Sequence, residues 1–308
     1  MTRRLLAGVL TALVTACRPA PAPAPPVAPP GVAADTREFS LDDGFLTIRI
    51  DIPREPPGPK PVVLSLLGER ERMLEAGLAV VTHQVHWELL RPLVPAPKTP
   101  RAAPARTWGM WMLAAPTPKT VGQGYFRVIT GEATRTVPRV LDTVLALPAL
   151  DGRRVGIAGT STNGFIALQA AAHDRRIRAA AVVAACGEYH HFLRDSSLAM
   201  KGEFLDLAPE YSAWLRSIEP ARHPERLVHA AVLLLNGAED VVIPQSCVRP
   251  TERALARAYG RAGVPERFRS LVLPGAGHDV SAAARSQIPA WWGRWLLEPA
   301  LTEDSGRP

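Results

Sequence analysis

The stretch RRVGIAGTSTNGFIALQAAAH, residues 153–173, limits the folds open to this chain more than any other. It starts as a short apolar run, breaks at a glycine-flanked turn, and resumes with Phe165, Leu168 and Ala172 at helical spacing. A strand that passes so abruptly into a helix fits a layered fold, in which the strand is buried in a sheet and the helix covers it. The same alternation runs along the chain. Strands are expected at Phe45–Asp51, Pro61–Leu66, Ala79–Gln84, Arg153–Ala158, Ala180–Ala185, Ala231–Leu235 and Phe268–Leu273. Helices are expected at Glu69–Glu75, Thr136–Leu147, Thr162–His173, Thr251–Arg261 and Ala282–Leu297. Most of the strands lack apolar–polar alternation, as strands covered on both faces do. A hydrophobic content of 47% over 308 residues suffices for one large α/β domain with a mostly parallel central sheet flanked by helices.

The turn itself, GIAGTSTNGF at 156–165, carries parts of two motifs. A phosphate-binding loop requires a lysine and a hydroxyl after its last glycine; this chain has Phe165 and Ile166 there, which cannot neutralise phosphates. A nucleophile elbow requires G-x-S-x-G between a strand and a helix, because a serine held in a strained turn leaves no room for bulky neighbours two positions away. Gly159 and Ser161 fit, Asn163 stands at the second glycine position, and Gly164 follows. An elbow serine needs a base and an orienting acid, since a hydroxyl at its own pKa is a poor nucleophile. Both follow in order. AAVLLLNGAEDVVIP is an apolar strand ending at Gly237 with Asp240 three residues on, and FRSLVLPGAGHDV is another with His278 in its glycine-rich turn.

On these residues the chain resembles the α/β-hydrolase family. The G-x-x-D-x-x-[VI]-P segment at Gly237–Pro244 and the G-x-G-H turn at 275–278 match the family's acid and histidine positions, and the resemblance spans most of 37–297. LPALDGRRVGIAG ahead of the serine places it nearest the dienelactone-hydrolase and prolyl-oligopeptidase-like branches. The resemblance implies an α/β-hydrolase fold with lid-like insertions, a triad of Ser161, Asp240 and His278, and an oxyanion hole. Its donors would be the backbone N–H of Thr162 and that of Gly68 or Glu69 in LSLLGERER. Family members often carry His-Gly where this chain has Leu67-Gly68, but a backbone donor needs no histidine side chain. Losing one such donor costs on the order of 3 kcal/mol, so Leu67 and Asn163 are the departures that bear on activity. Asn163 is expected to tolerate left-handed backbone angles, with Gly164 allowing close helix approach. The terminal helix, with Trp291, Trp292 and Trp295, is expected to pack on the sheet.

Two stretches exceed a minimal sheet, residues 86–135 and 187–229. Their aromatics, Trp108, Trp111, Tyr189, Phe192 and Trp214, either line an acyl pocket or pack the insertions onto the domain. Glu188, Glu239 and Asp279 lie near the chosen acid and base but miss the motif offsets. His190 and His191, adjacent in what reads as an extended lid segment, would point opposite ways, and no carboxylate spacing supports a metal; neither metal nor cofactor is expected. Cys186 and Cys247 both follow neighbouring strands and are candidates for a disulfide under oxidising conditions, contributing roughly 4 kcal/mol in the loop-entropy model.

The amino terminus carries Arg3 and Arg4 and then an apolar run, Leu5–Ala16, of 12 residues. That is too short to span a ~30 Å hydrocarbon layer and reads as a signal peptide, residues 1–16. Val14-Thr15-Ala16-Cys17 resembles a bacterial lipobox, which implies cleavage before Cys17 and its lipidation; Arg18, rather than aspartate, points to the outer membrane. Residues 17–34, nearly all Pro and Ala after Arg18, form an extended tether at roughly 3 Å per residue, ahead of the domain at 35–308. Without Arg3 and Arg4 the net charge falls from +7 to +5. The charge is scattered, mostly on arginine, and not interleaved with aromatics, so nucleic acid is not an expected partner. The expected function is a cell-envelope serine esterase acting on a small ester or acyl substrate. The alternatives are an acyl-peptidase or transacylase on the same triad, and an inactive hydrolase-like binding module.

Overall fold

The computed structural model of the protein describes residues 32–42, 44–67, 69–86, 118–198 and 208–298, with the side chains of 118–124 and 281–285 outside that description. Eight strands form one sheet: β1 (Ala34–Leu41), β2 (Leu46–Pro53), β3 (Lys60–Leu66), β4 (Ala79–Val85), β5 (Leu150–Thr160), β6 (Ile177–Val183), β7 (Ala231–Gly237) and β8 (Phe268–Leu273). Their order is β1-β2-β4-β3-β5-β6-β7-β8. β2 runs antiparallel to both β1 and β4, and every other pair is parallel. Parallel neighbours cannot be joined by tight turns, so helices cross over the sheet between them. This is the α/β-hydrolase fold.

Seven of the strands coincide with expected ones, and β1 is an addition. Its sequence, ADTREFSL, is too polar to read as a buried strand, but it lies at the sheet edge and pairs with β2 from Ala34 opposite Pro53 to Leu41 opposite Leu46. Charged residues suit an edge that has no outer neighbour.

The stretch expected as a long connection, 86–135, is corrected over its described part. Helix α2 (Pro118–Gly131) continues through a π-helical turn (Glu132–Thr136) into α3 (Val137–Leu145). Phe126, Ile129, Ala133, Val137, Val140, Leu141 and Val144 are all buried. They recur every three or four residues, so one apolar face runs through both helices and the turn. Before them comes α1 (Arg70–Glu75), and after β5 comes α4 (Thr162–His173). The region 187–229 holds α5 (Tyr189–Asp195) and α6 (Pro209–Ile218), so His190 and His191 lie on a helix and not in an extended lid. Helix α7 (Gln245–Arg261) starts six residues before its expected first residue and contains Pro250. A proline there reads as a boundary, but the helix continues through it, at the cost of one backbone bond and of the ring's clash with the preceding turn. Helix α8 (Ser281–Trp292) ends in a π-helical turn (Gly293–Leu297), and Trp291 and Trp292 are buried with Trp292 over Gly156, as expected of the terminal helix.

The register gives the sheet a polarity. Ala34 pairs with Pro53, Asp51 with Val80, Val62 with Ala79, Lys60 with Leu150, Val155 with Ile177 and Val232 with Phe268. All of these lie toward one edge, where the chain enters at Val32. The opposite edge collects the carboxyl ends of β3 to β8, the place where open α/β sheets form ligand sites.

Candidate active site

β5 ends at Thr160, and Ser161 takes φ 57°, ψ −123° immediately before α4. Backbone of this kind costs about 1–3 kcal/mol and persists only where its surroundings hold it. Here the Ser161 N–H donates to the Val183 carbonyl at 2.9 Å, and the Ser161 carbonyl accepts from the Phe165 N–H at 3.0 Å. The glycines follow from sterics. A Cβ on Gly159 would lie 2.0 Å from the Asn163 carbonyl oxygen, and one on Gly164 would lie 2.7 Å from that of Val183. Asn163 takes its place differently from expectation. It sits inside α4 with no left-handed angle, and its side chain is exposed. Its Nδ2 donates to the Leu66 carbonyl at 3.2 Å.

His278 lies beyond β8 and Asp240 beyond β7, both at the same sheet edge. His278 Nε2 is 3.0 Å from Ser161 Oγ, and Nδ1 is 2.9 Å from Asp240 Oδ2. The Asp240 side chain is fully buried. Its Oδ1 accepts the N–H groups of Val242 and Ile243, each at 2.8 Å. An acceptor fixed this way asks Nδ1 to carry the proton, which leaves Nε2 free to accept from the serine hydroxyl. The three expected residues therefore meet in one hydrogen-bonded chain. Glu239 is exposed beside it, and Glu188 is engaged elsewhere, its Oε2 accepting from the His191 N–H at 2.7 Å.

The other side of Ser161 is organised by side chains. Thr162 opens α4, where backbone N–H groups have no partner within the helix. Its Oγ1 is 3.2 Å from the hydroxyl of Tyr125 on α2, a residue no motif in the sequence singles out. Burial pushes the Tyr125 hydroxyl up, and the bond to Thr162 offsets this only in part, so the group stays protonated. The Tyr125 ring stacks on Phe192 with centroids 5.6 Å apart. Across the gap, Leu66 ends β3, Gly68 lies outside the described residues, and Glu69 precedes α1. Arg70 then anchors α1 to β2, its Nε donating to the buried Asp51 at 2.7 Å. Asn163 thus ties the start of α4 to the strand end that leads into the Gly68–Glu69 segment.

Tyr189 and Phe192 are 0% and 3% exposed, and they belong to the core. Tyr189 stacks on Phe126 at 4.0 Å, so these rings pack α5 onto α2 and do not line a lid pocket. Trp214 packs beside Tyr211 and under the Arg127 guanidinium; Trp108 and Trp111 lie outside the described residues. Cys186 and Cys247 are joined, with Cα atoms 5.8 Å apart. The bridge ties the segment after β6 to α7, seven residues beyond Asp240. Glu188, His190 and Glu219 bring one potential metal ligand atom each within 4.8 Å of one another. These atoms already serve one another: His190 Nδ1 is 2.7 Å from Glu219, its Nε2 is 2.8 Å from Ser212, and Arg222 donates to Glu219 at 2.5 Å. Burial pushes the Glu219 carboxyl up, but the bonds from His190 and Arg222 outweigh it and hold it below its ordinary value. The cluster reads as a cross-link between α5 and α6. Cys17 lies outside the described residues, and no described helix is long and apolar enough to cross a membrane.

The prolyl oligopeptidase family matches residues 137–296, which hold all three residues of the hydrogen-bonded chain. Several solved structures share the fold. A puromycin-hydrolysing peptidase from Mycobacterium tuberculosis superposes with a TM-score of 0.58 at 18% identity over 85% of this chain, which spans 39% of the peptidase's length. A putative dienelactone hydrolase from Klebsiella pneumoniae gives 0.53 at 18% identity, over 85% of this chain and 100% of the other. A zinc-bound cold-adapted esterase from an Arctic intertidal metagenomic library gives 0.54 at 14% identity, over 85% and 94%. No curated protein matches the sequence.

Proposed function

Because the chain belongs to the prolyl oligopeptidase family, we propose that it is a serine hydrolase that cleaves carboxylic esters through an acyl-enzyme. The observation that carries this reading is the unbroken chain from Ser161 Oγ through His278 to the buried Asp240, at 3.0 and 2.9 Å. Ser161 Oγ attacks the carbonyl carbon as His278 Nε2 takes its proton, and Asp240 stabilises the imidazolium. The oxyanion is received by the N–H of Thr162 and one from the Gly68–Glu69 segment. Collapse of the intermediate breaks the bond to the alcohol, and His278 returns the proton to the departing oxygen. Water, deprotonated by His278, then attacks the acyl carbon and frees Ser161 and the acid.

An exported, lipid-anchored form through Cys17 is part of the same proposal and rests on the sequence of residues 1–17. A second reading, acyl-peptidase activity on the same triad, is favoured by the peptidase among the similar structures. Labelling with a fluorophosphonate, mapped by mass spectrometry, tests the triad: label confined to Ser161 and absent in Ser161→Ala supports it, and no label on folded protein rejects it. Turnover of p-nitrophenyl esters against aminoacyl p-nitroanilides separates ester from peptide hydrolysis.

A further inference from the structure

Beside the start of α4 lies a cavity of about 210 Å³ that the triad chemistry leaves unused. Thr162 and Asn163, the two residues after the nucleophile, form part of its lining, so it adjoins the reacting centre. Leu66, Val85, Val128, Ile129 and Ile166 supply aliphatic walls from β3, β4, α2 and α4. Its remaining polar residues are already engaged. His83 and Glu132 bond to each other through the His83 Nε2, and Asn163 donates to the Leu66 carbonyl at 3.2 Å. His83 Nδ1 has no partner, but it is sealed from solvent and presents nothing to a ligand. The aliphatic walls therefore decide what the cavity accepts.

We infer that this cavity holds the acyl part of the substrate, an aliphatic chain of medium length. The inference rests on the ester-hydrolase reading and adds a substrate class to it. The volume is roughly seven times the ~30 Å³ that one water occupies in the liquid, which accommodates a chain of about six to eight carbons. Each methylene moved from water into such walls favours binding by roughly fourfold, so chain length is the property the site measures. Five of the nine lining residues are aliphatic, so the length of an apolar chain is the property these walls discriminate most directly.

The test is the acyl-length profile of the full chain on p-nitrophenyl esters from acetate to laurate. The expected kcat/KM rises by up to about 250-fold from acetate to hexanoate, four methylenes at roughly fourfold each, and stops rising beyond octanoate. Val128→Trp fills a half-buried wall position and should lower the hexanoate-to-acetate ratio by about tenfold, whereas Val128→Ala should move the optimum to longer chains. Arg153→Trp, at a position whose side chain is 93% exposed, should leave the ratio unchanged. A flat profile with acetate still cleaved, or an unchanged ratio in a Val128→Trp protein that melts like the parent, overturns the inference and leaves the esterase reading standing. If no ester is cleaved, the esterase reading falls, and calorimetric binding of octanoate still decides the cavity: binding that Val128→Trp abolishes supports it, and none rejects it.

Discussion

The two sides of Ser161 are held by different means. On the base and acid side, strand ends and tight turns do the work: β7 and β8 deliver Asp240 and His278, and backbone amides of Val242 and Ile243 fix the acid at 2.8 Å. On the side proposed to receive the oxyanion the joints are side chains, Asn163 to the Leu66 carbonyl and Tyr125 to Thr162. Backbone joints are fixed with the fold itself. Each side-chain joint adds about 0.5–1.5 kcal/mol net, so it can be weakened singly and by degrees.

The largest effect should come from breaking the first side. His278→Ala should lower kcat by as much as ~10⁶-fold, with Ser161→Ala adding almost nothing in the double variant, because the two act as one unit. Asp240→Asn should cost about 10⁴-fold, since the wrong tautomer is then held without loss of geometry. Pre-steady-state measurement of acylation checks both.

The second side should respond by smaller steps. Asn163→Ala and Tyr125→Phe should each lower kcat by roughly fivefold with KM little changed, the value of one hydrogen bond felt through an oxyanion donor. Tyr125→Phe keeps the ring on Phe192, so its melting temperature should stay close to that of the parent. A drop in stability matching the drop in kcat would show that these joints merely hold the fold, and the contrast between the two sides would disappear.

The smallest effect is in acid. Arg194, with help from Ser246 at the start of α7, brings the Asp195 carboxyl down to about 2 on the acid side of the site. On β2, toward the opposite end of the sheet, burial raises the Asp51 carboxyl, but Arg70, Arg49 and Thr36 overcome it and hold it well below the ordinary value. Because both are depressed in the folded state, their stabilisation is complete above the unfolded value of about 4 and is lost as pH falls through the folded values. Melting temperatures should therefore decline below about pH 4, and Asp195→Asn and Asp51→Asn should each flatten that decline. A variant with the parent's slope would show that its carboxylate contributes nothing to stability in acid.

The elbow, the order of the triad and most of the sheet were legible because each is a short-range requirement. Gly159 is demanded by an atom four residues away, and the Asp240 turn is closed by amides two and three residues on. Aromatic residues carry no such local instruction. Tyr189 and Phe192 fit a lid or a core equally well until α2 is placed against them. Which residues can form strands, helices and a nucleophile turn is set locally, since backbone sterics and periodicity act over a few residues. What Asn163 and Tyr125 do depends on the folded chain, because their partners lie 97 and 37 residues away. Those partners come within reach only when the strand order sets β3 beside β5 and α2 beside α4. The same holds for β1, whose polar sequence becomes a strand because β2 leaves an open edge for it to pair with.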